Sequence, residues 1–172
     1  MREFIASDLH GSLVHAQRLF EAFERERADR ILLLGDLLGH SLFSGDNDAL
    51  LALFSRYRDR ILAVRGNCDS AADCAILPFD LPESRSFSED GRLFFLLHAP
   101  DAAPDLPEGA LLLHGHTHVP AARVGKKLSL FCPGSAAFPR GGSYPGYMTY
   151  ENGLFCWKNL AGELKNAVKL PE

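Results

Sequence analysis

Five short apolar runs in this chain break off into residues that can bind a metal ion. FIAS leads into Asp8-Leu9-His10, ILLLG into Asp36, ILAVRG into Asn67, FFLL into His98, and LLLHG into His116-Thr117-His118. Runs of four to six apolar residues bounded in this way read as buried strands. In open α/β sheets the ends of neighbouring parallel strands lie along one rim, where ligands bind. Residues far apart in the chain would thereby become neighbours. Within Asp8/His10 and His116/His118 the i, i+2 spacing places both side chains on one side of an extended segment, so each pair can address one centre. Glycine precedes Asp36, Asn67 and His116, which allows close backbone approach.

The seven residues Asp8, His10, Asp36, Asn67, His98, His116 and His118 suffice for two ions. If one carboxylate bridges, as Asp36 could, each ion has about four protein ligands and keeps positions for water and substrate. Oxygen and imidazole donors without thiolate suit Mn²⁺, Fe²⁺ or Zn²⁺ better than a structural zinc site. Any one Asp or His after a strand is more often a turn or capping residue; the ordered set carries the inference.

The first half alternates strands with amphipathic stretches. Phe4 to Ser7, Ile31 to Leu34 and Ile61 to Val64 are expected as strands of a largely parallel sheet. Ser12 can cap a helix bearing Leu13, Ala16, Leu19, Phe20 and Phe23 on one face, and Asp46 or Asn47 opens a second with Leu50, Leu53, Phe54 and Tyr57. From about Pro82 the pattern changes to short runs, Arg85–Ser88, Arg92–Leu97, Ala110–Leu113, Ala121–Val124, Leu128–Phe131, Tyr147–Tyr150 and Leu154–Trp157. Turn signals at Asp90-Gly91, Gly125-Lys126 and Asn152-Gly153 predict hairpins and a second, mostly antiparallel sheet.

The chain of 172 residues is expected to form one domain over 1–172. Its net charge of −4, from 18 basic and 22 acidic residues in mixture, leaves no basic stripe for a nucleic-acid duplex. No apolar run approaches the roughly 20 residues of a membrane helix, and MREFIASDLHGS does not read as a signal peptide, so a cytoplasmic location is expected. Cys68, Cys74, Cys132 and Cys156 form no CxxC pair and are expected as free thiols.

The series DLHG, GDLLGH, RGNCDS, a lone His after an apolar strand, GHTH and FCPGSAAFPRGG resembles calcineurin-like metallophosphoesterases, most closely the YfcE-type branch of bacterial phosphodiesterases. The resemblance covers nearly the whole chain. It implies an α/β (α+β) fold, a four-layer αββα sandwich of two mixed sheets flanked by helices, with a dinuclear centre often supported by manganese; Fe²⁺, Zn²⁺ or Ni²⁺ would also suit. Carried over by motif, Asp8, His10, Asp36 and His118 would hold one ion, and Asp36, Asn67, His98 and His116 the other. A hydroxide bridging the two would attack a small phosphodiester in line, without a covalent intermediate. Asp36, Asn67 and His98 would then act in catalysis, with His40 of GDLLGH lining the pocket or supplying a proton.

The resemblance also marks departures. Many relatives carry a His after the ligand Asn; here it is Cys68, as in the YfcE-like branch, which removes the obvious general acid and predicts a preference for diesters with good leaving groups. Ala99-Pro100 replaces the usual HG step after His98 and could reshape that loop. His114 is expected to be structural and His15 to lie at the surface. Asp69 could orient Asn67 or nearby backbone, and Arg65 could meet phosphate or a carboxylate. The alternatives are a phosphomonoesterase, or a protein-binding scaffold like the retromer subunit of this fold with a vestigial metal site. An HxHxDH cluster and a Walker loop are both absent, against amide hydrolase and nucleotide kinase chemistry. Exposed edge strands could pair copies into a homo-oligomer.

Overall fold

The computed structural model describes residues 1–38 and 47–171. The first three strands, β1 (Glu3–Ala6), β2 (Arg30–Leu33) and β3 (Ile61–Ala63), pair in parallel, with helices α1 (Leu13–Glu26) and α2 (Asn47–Tyr57) in the connections. Alternation along the strands sends their side chains two ways. Phe4, Ala6, Ile31 and Leu33 meet Leu19, Phe20 and Phe23 of α1 and Leu50 and Phe54 of α2 in an outer core. Ile5 and Leu32 point to the other face and fill the space between two sheets. Ser12 occupies the N-cap position of α1 without donating or accepting there; its hydroxyl instead lies 2.8 Å from His15 Nδ1.

A third helix, α3 (Ala71–Ile76), follows β3. It was not anticipated, although Ser70 and Asp73 form a reciprocal capping box. The segment AADCAI buries little apolar surface, so the cap is its main sequence signal.

The second half departs from the expected antiparallel sheet. Strands β4 (Ser84–Glu89), β5 (Arg92–Leu97), β6 (Ala110–His114), β7 (Pro120–Arg123) and β8 (Leu128–Pro133) form a sheet in the order β4-β5-β6-β8-β7. Its central pairs β5/β6 and β6/β8 are parallel, and only the outer pairs are antiparallel. The continuous apolar run of β6 explains this, since a strand buried on both faces suits the centre of a parallel arrangement. The last strands, β9 (Gly146–Glu151), β10 (Leu154–Asn159) and β11 (Leu164–Lys169), return to the first sheet, which runs β11-β10-β9-β1-β2-β3 and is therefore also mixed. Met148, Tyr150, Phe155 and Trp157 join Phe94, Leu96, Leu111, Leu113 and Phe131 between the sheets. β11, mostly exposed along LKNAVK, lacked the apolar alternation that would have revealed it.

Asp90-Gly91 and Asn152-Gly153 turn with positive φ at both residues, as two-residue hairpins require. Gly125 lies in the β7–β8 connection without positive φ. The two mixed sheets are as the resemblance implied, but the outer layers are unequal among the described residues. Leu97, Ala110 and Leu112 on the outer face of the second sheet are covered by Leu106 and Ala103, in a segment whose only helix is the 3-10 turn Pro100–Ala102. Pro100, Pro104 and Pro107 explain why no α-helix forms there. The cysteines are free thiols, and none of the described helices is long and apolar enough to cross a membrane.

Candidate metal centre

The loops after β1, β2, β3, β5 and β6 meet at one rim. β1 and β2 remain zipped beyond their last strand pair, with Asp8 N donating to the Gly35 carbonyl at 3.1 Å and His10 N to that of Asp36 at 2.9 Å. The loop after β3 is drawn in through Cys68 N, which donates to Asp36 Oδ1 at 2.8 Å. The two sheets are joined where His116 N donates to Asp8 Oδ2 at 3.2 Å. The glycines are needed for this closeness. A Cβ on Gly66 would collide with Asp36, one on Gly115 with Ser7, and one on Gly35 with Gly66 and His98.

Asp69 ties the loops together. Its buried carboxylate accepts from Asp36 N and Leu37 N at 2.8 Å each, from Gly66 N at 2.9 Å and from Leu38 N at 3.2 Å. It therefore orients the backbone that carries Asp36 rather than the Asn67 side chain. The sequence could name Asp69 as an orienting residue but not its four donors, which come from two loops. Among the described residues, eight non-glycine residues have positive φ, and five of them are Asp8, His10, Asp36, His116 and His118. Left-handed backbone costs a non-glycine residue on the order of 1 kcal/mol, and such strain concentrates at functional sites where surrounding structure enforces it.

The side chains converge in two groups. Asp8, His10 and His118 place donor atoms within 4.8 Å of one another. His118 Nε2 lies 3.3 Å from Asp8 Oδ1, and His10 Nε2 lies 3.2 Å from His118 Nε2 and 3.7 Å from Asp36 Oδ2. On the other side, His98 Nε2 is 3.3 Å from Asp36 Oδ2 and 3.0 Å from Asn67 Oδ1, and His116 Nδ1 is 2.9 Å from that same amide oxygen. All seven sequence-derived residues thus share one site, with Asp36 between the groups. Asp8, Asp36, His98 and His118 are buried, whereas Asn67 and His116 are exposed at the rim. His40 lies outside the described residues.

The donor chemistry fits cations. His118 Nδ1 donates to the Phe138 carbonyl at 2.6 Å and His98 Nδ1 to that of Leu34 at 2.6 Å, so in each neutral ring the Nε2 facing the carboxylates carries a lone pair. Asp8 Oδ1 is fully buried without a hydrogen bond. Lone pairs facing one another out of water are stable only with a positive charge between them, a proton or a metal ion. Asp8 and Asp36 have imidazoles but no Lys or Arg within ion-pair distance among the described residues. Burial opposes ionisation of Asp36, but with a second proton on His98 Nε2, hydrogen bonds from that imidazolium and from Cys68 N and the nearby imidazoles prevail and hold its pKa at about 2. An anionic Asp36 is what a bridging ligand requires.

Other expectations resolve locally. Burial and the Asp36 carboxylate push the Cys68 thiol up to about 11, so it is neither thiolate nor a ready acid at neutral pH. Pro100 opens a 3-10 turn after His98 without carrying the imidazole away from Asp36. His114 is buried, with Nδ1 against the Gly115 carbonyl at 3.0 Å, and burial lowers its pKa. His15 is partly buried rather than at the open surface, and packs at the rim near Phe138. Arg65 donates to the Asp69 carbonyl at 2.9 Å and lies 3.5 Å from Glu83, so its partners are structural. Ser135, which was not singled out, donates to the Asp8 carbonyl at 2.7 Å from FCPGSAAFPRGG; nothing in that motif distinguished it from an ordinary turn serine.

Relatives share both the motifs and the architecture. The chain is 35% identical over 162 residues to phosphodiesterase YfcE of Escherichia coli K12, covering 88% of each. The solved structure of the E. coli phosphoesterase Yfce superposes with a TM-score of 0.90 at 28% identity, over 99% of this chain and all of that one. Vacuolar protein sorting 29 of Cryptosporidium parvum shares the fold at a TM-score of 0.65 and 14% identity, over 99% of this chain and 98% of its own. Residues 1–152 match the calcineurin-like phosphoesterase superfamily domain, and the chain belongs to that superfamily.

Proposed function

We propose that this protein hydrolyses small phosphodiesters at a dinuclear divalent-metal centre on the strand-end rim, as a cytoplasmic enzyme. The observation that carries the reading is the convergence of seven ligand-competent side chains around Asp36, with carboxylate and imidazole lone pairs facing each other and no Lys or Arg paired with Asp8 or Asp36 among the described residues. The kinship with phosphodiesterase YfcE supports the choice of reaction. In this reading Asp8, His10, Asp36 and His118 would hold one ion, and Asp36, Asn67, His98 and His116 the other. Mn²⁺ suits this mixture of oxygen and imidazole donors.

Two such ions would supply Lewis acidity toward a phosphoryl group and toward water. The protein's own work is positional. Asp69 fixes the Asp36 backbone, Leu34 and Phe138 set the tautomers of His98 and His118, and the buried carboxylates keep the floor anionic. Asn67 and His116, exposed at the rim, stand where a phosphate would enter. Cys68 keeps its proton well above neutral pH and is a poor donor to a departing alkoxide, which favours diesters whose leaving groups need no protonation.

The test is the metal-stripped protein resupplied with Mn²⁺, Zn²⁺ or Mg²⁺ and offered an aryl phosphodiester and the matching monoester. Restored turnover with the diester preferred is expected. Preference for the monoester would make it a phosphomonoesterase, and no turnover of either would favour a scaffold. The scaffold reading rests on shared fold alone, and all seven ligand positions here carry competent side chains.

A further inference from the structure

The FPRGG segment (138–142) enters the chemistry above only through the Phe138 carbonyl, and its side chains border the candidate centre. Phe138 is 51% exposed, and it is the only Phe, Tyr or Trp among the described residues that stands open to solvent; the others are buried or partly covered. A single exposed Phe is ordinary on a protein surface. This one is held in place by the site itself. Its N–H donates to Ser135 Oγ at 2.8 Å, and that hydroxyl in turn donates to the Asp8 carbonyl. Its carbonyl accepts from His118 Nδ1, and two residues on Arg140 N donates to the His118 carbonyl at 3.1 Å. The backbone bearing the ring is thus fixed to the loops that carry Asp8 and His118.

The ring itself lies beside two imidazoles. It stands edge-on to His10, with centroids 5.8 Å apart and planes at 72°, and 6.4 Å from His15, whose imidazole is in turn held by Ser12. Val119, 38% exposed, lies beside Gly141 of the same segment. A phosphoryl group at the rim carries its ester arms outward, and here one flank offers an aromatic surface beside a ligand imidazole. Planar groups stack on such a surface whatever their hydrogen-bonding pattern.

We infer that Phe138 is a specificity-determining residue, the platform on which a planar apolar arm of the substrate, an aryl or nucleobase-like group, is held beside the phosphoryl group. The inference rests on the phosphoesterase reading for its ligand class, and a binding measurement separates the two. Isothermal titration of the Mn²⁺-loaded protein with phenylphosphonate and with methylphosphonate, two anions differing only in the arm, reads the preference without turnover. The native protein should bind the phenyl compound about tenfold more tightly, the size expected of one aromatic stacking contact. F138A and F138L should bring the two ligands to within about twofold, the leucine variant keeping apolar bulk in case alanine disturbs folding, and F138Y should keep the preference. No preference in the native protein, a preference that persists in F138A or F138L, its loss in F138Y, or equal weakening of both ligands would overturn the assignment. Turnover of bis(4-nitrophenyl) phosphate by the same preparation reports separately on the phosphodiesterase reading.

Discussion

Buried carboxylates gather at both ends of the first sheet, and the two ends treat them differently. At the start of β1 and β2, Glu3 is fully buried and receives a forked pair of hydrogen bonds from Arg30, Nε at 3.0 Å among them, while the same guanidinium lies 3.7 Å from Glu89 and over the Phe87 ring. The Met1 amino group is 3.3 Å from Glu89. That end supplies its own cations. At the other end Asp8 and Asp36 face imidazoles whose protons are already committed to backbone carbonyls. Burial of acids is thus common to both ends, but among the described residues only the rim carboxylates have no Lys or Arg opposite them.

The sharpest way to break this contrast is Asp36→Asn, which removes the charge at the centre of the rim. Turnover should fall by at least ~10³-fold with the circular dichroism and melting profile of the fold retained, and near-normal rates would remove Asp36 from its bridging role. Next in size is Asp69→Ala. It strands four buried backbone N–H groups and should lower the urea-unfolding free energy by about 3–5 kcal/mol, since a buried charge is lost together with several hydrogen bonds. An effect under ~1 kcal/mol would mean that water replaces the carboxylate with little loss.

Metal itself should distinguish the two ends. Mn²⁺ at about 100 times its dissociation constant should stabilise the native state by about 2.7 kcal/mol and raise Tm by roughly 5–10 °C, reversibly with chelator. The same shift should appear in Glu3→Gln, whose change lies at the far end. The smallest effect belongs to that glutamate. Burial, opposed by the Arg30 hydrogen bonds and aided by Glu89, raises its pKa from 4.5 to about 7. An acid that binds its proton more tightly when folded contributes stability in full below its unfolded pKa and loses that contribution as pH rises through the folded value. Unfolding free energy should therefore decline by on the order of 2 kcal/mol between about pH 4.5 and pH 7.5, and Glu3→Gln should flatten that decline. Equal slopes in the two proteins would place the titration elsewhere.

The rim was legible in the sequence because each candidate ligand follows an apolar run, and the glycines beside Asp36, Asn67 and His116 declared the close approach that the fold uses. The first two helices were legible for the same reason, through their periodic apolar faces. Pairing order was not. Nothing local in Tyr147–Tyr150 says that β9 lies against β1 rather than beside β8, because that choice depends on which faces need covering once both sheets exist. Asp69 was legible as a residue that orients nearby backbone, but the two loops it ties together were not, since a carboxylate that accepts backbone N–H groups has no sequence partner to give it away.

The left-handed backbone at Asp8, His10, Asp36, His116 and His118 restricts which residues can occupy those positions. Apart from glycine, the residues that enter this conformation most readily are Asn, Asp and His. These are also the residues with a short side chain ending in a metal-binding oxygen or nitrogen. The conformational alphabet of the rim and its chemical alphabet therefore coincide. Drift toward β-branched or bulky residues at these positions would be opposed by the backbone even before any substrate is considered, and glycine, which relieves the backbone, would delete the ligand.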